Sequence, residues 1–508
     1  MDAIFGPVPR LQGMKPADEF RRRLMLAGIA TAGLAGCGGG SSGTHMAVKS
    51  LPATNDTLPT EGRWPSLPTL QNTSGPGQFV ASLAAATSTV NFLPGIATRI
   101  LAYNGKTPGP AIDAYEGDVV RIRFINGLDQ DTTVHWHGLP VPASEDGNPM
   151  DPVARGASRD YAYILPTGSA GTYWYHPHPH QTTPEQVFRG LAGIFIVRSR
   201  TDPLAMLPER LVVITDLRLD AVGQIAANTA TDLANGREGD QVLVNGAHQP
   251  VDTIAPGATE RWRVVDATNG RYLRLVLDGG QMWVVALDGC FLAKPVAVGE
   301  LLLAPGQRAE MVVRAPATSG QKLVLRTIAY SRGAMVPVAP PVKLFEITTS
   351  QAPALAPIAL PASLPAPKSL PTNLSATQTV VLSDMGMGPS GMGGAGTGRF
   401  TINGRSFDPA RDDVTMKAGV PEEWTVRNGG MMDHPLHIHG TSFQLVASTR
   451  ANISSDPRLN AFMDTVNLTS GEQIRIRLRI DAPGRRMFHC HILEHEAQGM
   501  MGVINVTP

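Results

Sequence analysis

The chain has 508 residues, which is enough for three domains of ordinary size. Lysine plus arginine and aspartate plus glutamate both number 43, so the formal net charge is zero and nothing in it favours a nucleic-acid partner. Three cysteines are too few for a disulfide framework, while abundant glycine and proline predict short strands joined by turns.

The N-terminal residues 1–37 are predicted to be an export signal. Arg21–Arg23 precede the weakly apolar stretch LMLAGIATAGLAG, which is too short to span a bilayer and resembles a twin-arginine (Tat) signal. The stretch ends in LAGC, which resembles a lipobox and would make Cys37 a lipidated first residue; cleavage without a lipid is the alternative. Residues 38–74 would form a flexible tether and N-terminal tail. We therefore expect an exported protein in the periplasm or cell envelope, lipid-anchored if Cys37 is modified.

A pattern of strand, turn and strand recurs three times along the chain. GDVVRIRFINGL from Gly117 precedes TTVHWHG, ATERWRVVDATNG from Ala258 precedes RYLRLVLDG, and EEWTVRNGG from Glu422 precedes DHPLHIHG. Alternating apolar and polar residues bounded by turn signals predict an all-β fold of three related β-sandwich domains. The predicted domains are 75–200, 205–350 and 375–508, with a proline-rich linker at 351–374.

Ten of the 13 histidines lie in four short clusters. The clusters are HWHG from His135, HPH from His176, HPLHIHG from His434 and HCHILEH from His489. Side chains at positions i and i+2 of a strand point to one face, so each HxH pair can hold one metal ion or two neighbouring ones. Four such pairs, two from each terminal domain, predict eight imidazoles facing across an interface. Neutral imidazole suits copper, zinc, iron and nickel.

The third domain carries donors that the first domain lacks. When the two domains are superimposed in sequence, Thr132 falls on His434 and Pro177 falls on Cys490, whereas the paired histidines coincide. Strand alternation turns Cys490 away from the two histidines that flank it. The sequence therefore predicts a second, cysteine-centred site that belongs to the third domain alone.

The cysteine-centred site has the donors of a blue-copper centre. Cys490, His434 and His495 can form a trigonal set, with Met500 as a weak axial ligand, which is the arrangement of blue-copper electron-transfer sites. One short strand would then contact two metal centres, with the Cys490 backbone as a covalent bridge. Electrons can enter at the cysteine-bound copper and leave through either flanking histidine.

With these motifs in this order, the chain resembles a three-domain multicopper oxidase of the laccase and cuprous-oxidase family from about residue 75 to the C terminus. The resemblance implies three cupredoxin-like (plastocyanin-type) domains, a middle domain without copper ligands, and four coppers: one type 1, one type 2 and two type 3. The implied type 1 ligands are His434, Cys490, His495 and Met500. The implied type 2 ligands are His135 and His437. The implied type 3 ligands are His137, His176, His178, His439, His489 and His491.

Four further residues are interpreted through the same resemblance or their surroundings. Glu496 and Asp146 match acidic positions that serve the oxygen cluster in the family, so we expect them to handle protons there. His180 extends the HPHPH run but falls outside the family's ligand pattern, and is expected to be a neighbour. Cys290 has no histidine cluster near it in sequence and is expected to be a buried apolar side chain.

The resemblance implies an oxidase that couples four one-electron oxidations of a reductant to the reduction of O₂ to two waters. The candidate reductants are phenols and aromatic amines, with Cu(I) as a second class. Met385, Met387 and Met392 lie in the loop SDMGMGPSGMGG, and thioethers favour Cu(I). Gly430 stands where cuprous-oxidase relatives carry an acid, and Asp433 is instead the acid next to the type 1 histidine. Asp433 could equally accept a proton from a phenol.

Two other functions remain open on the sequence. One is a periplasmic copper-tolerance protein that serves copper homeostasis mainly as a cuprous oxidase or as a copper sink. The other is a copper-free scaffold, against which the intact ligand set argues. The expected partners are O₂ and a small reductant, with no nucleic acid, and the expected state is a monomer.

Overall fold

The computed structural model describes residues 58–60, 62–334, 336–374, 376–384, 400–450 and 457–508. The predicted signal with Cys37 and the loop methionines Met385, Met387 and Met392 lie outside the described residues. Among the helices of the described ranges, none is both long and apolar enough to cross a membrane. Export, lipid anchoring and the exact domain boundaries stay predictions.

The first third of the described chain forms two four-stranded sheets, in the orders β2-β1-β4-β6 and β3-β8-β7-β5. The strands are β1 (Gln78–Leu93), β2 (Ile96–Tyr103), β3 (Ile112–Tyr115), β4 (Val119–Gly127), β5 (His135–His137), β6 (Ser158–Ile164), β7 (Gly171–His176) and β8 (Gly193–Arg198). A 3₁₀ turn spans Ala143–Glu145, and helix α1 spans Thr183–Phe188. One buried apolar cluster takes Phe79 and Val120 from one sheet and Phe195 from the other, so the sheets pack face to face as a sandwich.

The middle third repeats this architecture with larger sheets, in the orders β11-β10-β9-β13-β18-β15-β16 and β12-β20-β19-β14-β17. The strands are β9 (Glu209–Leu217), β10 (Gln241–Val244), β11 (Ala247–His248), β12 (Val251–Ile254), β13 (Thr259–Asp266), β14 (Leu273–Asp278), β15 (Gln281–Leu287), β16 (Cys290–Ala297), β17 (Leu301–Leu303), β18 (Arg308–Arg314), β19 (Lys322–Thr327) and β20 (Lys343–Thr349). Helix α2 spans Ala230–Asn235 and begins at a capping box in which the Thr229 side chain accepts a hydrogen bond from the backbone N–H of Asp232.

The last third contains sheets in the orders β22-β21-β24-β29-β26-β27 and β23-β31-β30-β25-β28. The strands are β21 (Ala376–Ser383), β22 (Thr401–Ile402), β23 (Val414–Lys417), β24 (Glu422–Asn428), β25 (His434–Ile438), β26 (Phe443–Ser448), β27 (Phe462–Met463), β28 (Thr465–Leu468), β29 (Gln473–Leu478), β30 (Gly484–Cys490) and β31 (Met501–Thr507). Helix α3 spans Leu493–Ala497. The prediction of an all-β chain built from sandwiches is confirmed, and the three α-helices of the described residues are short, with five or six residues each.

Two strand pairings bring the predicted metal-binding segments together. In the first third, β5 pairs antiparallel with β7 and sets His135 opposite His176. In the last third, β25 pairs antiparallel with β30 and sets His437 opposite His489. Both pairings lie inside buried sheets, so the histidines of each third meet away from solvent.

Candidate metal centres

The register of β25 and β30 explains why one strand contributes to two sites. Leu436 lies opposite Cys490, while His437 lies opposite His489. His434 is two residues from Leu436, so it shares the face of Cys490. The side chains of His437 and His489 therefore leave the sheet on one side, and those of Cys490 and His434 leave it on the other.

On one side, Cys490 is the centre of a buried cluster. Its Sγ atom lies 3.5 Å from His434 Nδ1 and 3.9 Å from His495 Nδ1, and all three residues are fully buried. Met500 is also fully buried; its carbonyl accepts a hydrogen bond from Cys490 N–H at 3.0 Å, and its own N–H donates to His495 O. The ring of Phe400 stacks on His495 at a centroid distance of 4.0 Å. We call this group the sulfur-centred site.

On the other side, eight histidines from the two terminal thirds form one cluster, which we call the eight-histidine cluster. The shortest contacts are His439 Nε2 to His489 Nε2 at 3.1 Å and His178 Nε2 to His489 Nε2 at 3.2 Å. All eight side chains have no solvent exposure. The members are His135, His137, His176, His178, His437, His439, His489 and His491. The structure thus brings together every imidazole that the sequence assigned to the oxygen-reducing centre.

The donor atoms of the eight-histidine cluster fit bound metal ions. His135 and His437 each turn Nδ1 to a backbone carbonyl at 2.8 Å, and the buried Nε2 of each has no hydrogen-bond partner among the described residues. Both ring nitrogens of His491 are buried in the same unpartnered state. Buried polar atoms are normally paired, so convergent unpartnered nitrogens indicate metal coordination.

The histidines are held in the neutral form that coordination needs. Burial lowers the pKa of seven of them, and neighbouring histidines lower it further for most. The seven are His137, His176, His178, His437, His439, His489 and His491. Burial likewise raises the pKa of the Cys490 thiol, which makes a bound cation the natural means of ionising it.

Asp146 orients two of the histidines. Its Oδ2 atom accepts from His439 Nδ1 at 2.8 Å, and its backbone oxygen accepts from His135 Nδ1 at 2.8 Å. Such partners fix the tautomer and ring orientation of ligating histidines. Gly147 follows with φ of +71°, and a Cβ atom there would lie 2.0 Å from Val134 O, so only glycine permits this placement.

Glu496 lies beside the eight-histidine cluster on helix α3. Its Oε1 atom is 3.6 Å from His178 Nδ1, and its Oε2 atom is 3.8 Å from His489 Nδ1. Burial raises the pKa of Glu496 to about 8, and the Thr183 hydroxyl offsets only part of this rise. The carboxyl group can therefore hold a proton at neutral pH next to two of the imidazoles.

Asp464 is a third acid at the cluster, and the sequence did not reveal it. Its Oδ1 atom lies 3.1 Å from His137 Nε2, and its backbone oxygen accepts from His437 Nδ1. The guanidinium of Arg308 donates to Asp464 through Nη1 at 2.8 Å and Nη2 at 2.5 Å, and both side chains are fully buried. Burial acts to raise the pKa of Asp464, but Arg308 outweighs it and holds this pKa below its usual range.

The middle domain therefore contributes to the cluster without supplying a histidine. Gln307 Nε2 donates to Thr465 O at 2.9 Å, beside Asp464. Gly306 lies so close to the His491 ring that a Cβ atom would approach it to 2.8 Å. The turn at residues 306–308, which leads into strand β18, is therefore the part of the middle domain that contacts the cluster.

Asp384, which the sequence analysis did not single out, is the acid near the His434 ring, whereas Asp433 is directed elsewhere. Asp433 accepts hydrogen bonds from Tyr330 Oη at 2.5 Å and from Asn467 Nδ2 at 2.9 Å, so the phenol it contacts is an internal tyrosine. Asp384 Oδ2 instead lies 3.7 Å from His434 Nε2. Since 50 residues separate Asp384 from His434, no local pattern could have linked them.

The remaining two residues lie outside the metal-binding groups of the described chain. His180 packs on Phe407 at a ring-centroid distance of 5.0 Å and joins none of those groups, as expected for a neighbour. Cys290 is only partly buried, contrary to the prediction, because it begins edge strand β16; its Sγ lies 3.6 Å from Ser442 Oγ. Burial of the sulfur raises the pKa of Cys290 to about 12.

Comparison with known proteins gives this arrangement a family. Models of the family described as multicopper oxidase match residues 84–202, 214–334 and 367–508. The chain is 32% identical over 437 residues to "Multicopper oxidase mco" of Staphylococcus aureus, covering 84% of this chain and 88% of that protein. It is 30% identical over 488 residues to "Cell division protein FtsP" of Escherichia coli K12, covering 92% of this chain and 97% of that protein. The chain belongs to the multicopper oxidase family.

A solved structure agrees with this membership. The multicopper oxidase from Campylobacter jejuni, described as a metallo-oxidase, superimposes with a TM-score of 0.80 at 37% identity, covering 91% of this chain and 98% of that one. The family implies an oxidoreductase that uses copper and O₂, and it typically binds type 1, type 2 and type 3 coppers, four in all. The cofactor of this chain is accordingly copper.

Proposed function

We propose that this chain is an oxidase that couples four one-electron oxidations of phenols or aromatic amines to the reduction of O₂ to two waters. The observation that carries the proposal is the position of Cys490 between His489 and His491. The cysteine belongs to the sulfur-centred site, and its two neighbours belong to the eight-histidine cluster. A single peptide bond therefore separates the residues of an electron-accepting site from those of an oxygen-reducing site.

The proposed assignment gives each copper a set of buried donors. Type 1 copper would be held by His434, Cys490, His495 and Met500. Type 2 copper would be held by His135 and His437, whose unpartnered Nε2 atoms support this choice. The type 3 pair would be held by His137, His176, His178, His439, His489 and His491. Bound in these sets, copper supplies the one-electron redox steps.

Protein side chains would supply the remaining chemistry. Complete burial of the histidines keeps bulk water from the cluster, which would strengthen the electrostatic interactions within it. Asp146 would keep His135 and His439 in the orientation that coordination needs. Glu496 would hold a proton beside His178 and release it to the oxygen being reduced.

Oxygen uptake tests the proposed reaction. With 2,6-dimethoxyphenol, the copper-loaded protein should consume one O₂ for every four phenols oxidised, and added catalase should return no O₂. Glu496→Gln removes the proton but keeps the shape, so turnover should fall roughly 100-fold while the visible absorption of the sulfur-centred site is unchanged.

Asp160→Asn is the matched control, because Asp160 is a highly exposed carboxylate. It should leave uptake at the wild-type rate. Copper binding without O₂ consumption would rule out an oxidase and leave a copper sink. An unchanged turnover in Glu496→Gln would exclude the proposed proton role.

A second reductant, Cu(I), is favoured by one contact. Asp384 lies 3.7 Å from His434 Nε2 and accepts the backbone N–H of Met431, whose side chain is 51% exposed. A carboxylate and an accessible thioether at the edge of the sulfur-centred site suit a soft monovalent copper ion. The C. jejuni structural relative is described as a metallo-oxidase.

Substitution of this acid should separate the two substrates. Asp384→Asn should lower kcat/KM for Cu(I) by about tenfold or more and leave that for 2,6-dimethoxyphenol within about twofold. Changing Met385, Met387 and Met392 together to leucine should have the same selectivity if the loop binds Cu(I). Met206→Leu, at a methionine that is 66% exposed elsewhere, is the control. Equal losses for both substrates would contradict a Cu(I) site.

A further inference from the structure

Three methionines pack together next to the eight-histidine cluster. Met487 and Met501 belong to one fully buried apolar cluster, and Met150 and Phe407 pack against it while remaining partly exposed. Strand β31 sets Met501 opposite His489, and Met487 precedes His489 by two residues on strand β30. Both buried methionines therefore lie on the same face of the sheet as that histidine. We call Met150, Met487 and Met501 the methionine group.

His180 extends this arrangement toward the surface. Its ring packs on Phe407 at a centroid distance of 5.0 Å, and the residue is partly exposed. Its Nδ1 atom is buried and has no hydrogen-bond partner among the described residues. Imidazole nitrogen and thioether sulfur both bind copper, and thioethers favour Cu(I). Donors for a soft monovalent copper ion therefore extend from the surface to the edge of the cluster.

The two parts of this arrangement meet at one point of the cluster. His180 follows His178 by two residues in the run HPHPH, and the methionine group lies beside His489. The Nε2 atoms of His178 and His489 are 3.2 Å apart. A copper ion that leaves either His180 or a methionine would therefore reach the same pair of proposed type 3 ligands.

The cluster needs a route of entry because its eight histidines have no solvent exposure. Two other approaches are closed by buried guanidinium groups. On the side of the middle domain, Arg308 forms a fully buried ion pair with Asp464. Near His439, the side chain of Arg486 is 1% exposed and packs against Gly440. A fixed positive charge in a buried position raises the energy of an approaching cation.

The charges beside the methionine group are balanced. Arg485 Nη1 donates to Met150 Sδ at 3.6 Å, which places a positive charge at the entrance. Asp412 Oδ1 accepts from Arg485 Nε at 2.8 Å and neutralises that charge. The approach past the methionine group therefore lacks the electrostatic barrier of the other two.

We propose that His180 and the methionine group bind Cu(I) in transit and form the route by which copper enters the eight-histidine cluster. The ion exchanges one thioether or imidazole ligand for the next and keeps its oxidation state, so no electron donor or acceptor takes part. The inference requires that the cofactor is copper and does not depend on the reductant that the oxidase uses. The route sets the rate at which the cluster fills, whereas the eight histidines set the amount of copper bound.

Copper uptake by the metal-free protein tests this route. The protein is mixed anaerobically with Cu(I), samples are quenched with a chelator at intervals, and the copper bound per protein is determined by metal analysis. Re-oxidation in air then gives the share in the sulfur-centred site from its visible absorption. Met487→Leu with Met501→Leu conserves volume. This variant should fill the cluster about tenfold more slowly, fill the sulfur-centred site within about twofold of the wild-type rate, and reach the wild-type copper content.

A second variant and a second metal ion separate the two kinds of donor. His180→Gln, at a partly exposed residue, should also slow the entry of Cu(I) into the cluster by about tenfold. With Cu(II), His180→Gln should remain slow and the methionine variant should match wild type, because imidazole binds both ions whereas thioethers favour Cu(I). Met416→Leu is the control, since this buried methionine belongs to a different apolar cluster, and it should change none of the rates.

The outcomes are decisive for the route. It is overturned if Cu(I) fills the cluster at the wild-type rate in either variant, or if Met416→Leu slows filling equally. It is also overturned if the methionine variant slows Cu(II) as much as Cu(I), because the methionines would then act through packing and not as ligands. Failure of the copper-loaded protein to oxidise any phenol would refute the proposed oxidase and leave these uptake rates unaffected.

Discussion

Cys490→Ser should abolish the intense visible absorption of the copper-loaded protein at about 600 nm. That absorption requires a thiolate bound to Cu(II), and a serine hydroxyl cannot provide the charge transfer. Oxidation of 2,6-dimethoxyphenol should fall by more than about 100-fold, because even partners of metal ligands contribute up to that factor. Absorption spectroscopy and steady-state oxygen uptake on the same sample measure the two effects.

The eight-histidine cluster should survive this substitution. Its donors leave the opposite side of the sheet from Cys490, so metal analysis of Cys490→Ser should still find the coppers of the cluster. Cys290→Ser is the control, since that sulfur lies near Ser442 and outside the metal-binding groups of the described residues. A visible band that persists in Cys490→Ser, or that also disappears in Cys290→Ser, would contradict the proposed type 1 site.

Arg308→Met should lower the free energy of unfolding by about 3–5 kcal/mol. The substitution removes the bidentate partner of Asp464 and leaves a carboxylate buried without its counter-charge. The freed Asp464 also loses its fixed orientation against His137, so copper bound per protein should fall. Chemical denaturation and metal analysis of the purified variant measure the two changes.

A double substitution distinguishes stability from ligand positioning. Arg308→Met with Asp464→Asn removes both charges, so it should recover much of the stability lost in the single variant. Copper content should stay low, because His137 still lacks its carboxylate. Arg274→Met, which breaks the exposed pair with Glu300, should cost less than about 1 kcal/mol and leave copper unchanged. If Arg308→Met kept wild-type stability and copper content, it would contradict the idea that the middle domain holds Asp464 in position at the cluster.

Much of the candidate site could be predicted because it depends on local alternation. In strand β30, the separation of Cys490 from His489 follows from the two-residue period of an extended chain. In each HxH pair, the same period brings two imidazoles to one face of the strand, and this does not depend on where the strand lies in the fold. Comparison of the first and third repeats then separated the donors shared by both from those of the third alone.

The partners of those donors could not be predicted, because each comes from a distant segment. Asp384 lies 3.7 Å from His434, and Asp464 lies 3.1 Å from His137. No periodicity links residues 50 or several hundred positions apart in sequence. Asp433 is the opposite case. It is next to His434 in the chain, but its side chain does not lie at the metal-binding edge of His434.

The sequence by itself determined the donor inventory of this protein, the two-sided geometry of its final strand and the all-β class. These depend on side-chain identity and on the period of the strand, which are properties of a single segment. Tertiary structure alone decided the acid at the edge of His434, the buried pairing of Arg308 with Asp464, and the hydrogen bond from Tyr330 to Asp433. Those contacts join segments that are distant in sequence, and the packing of strands and sandwiches sets their distances.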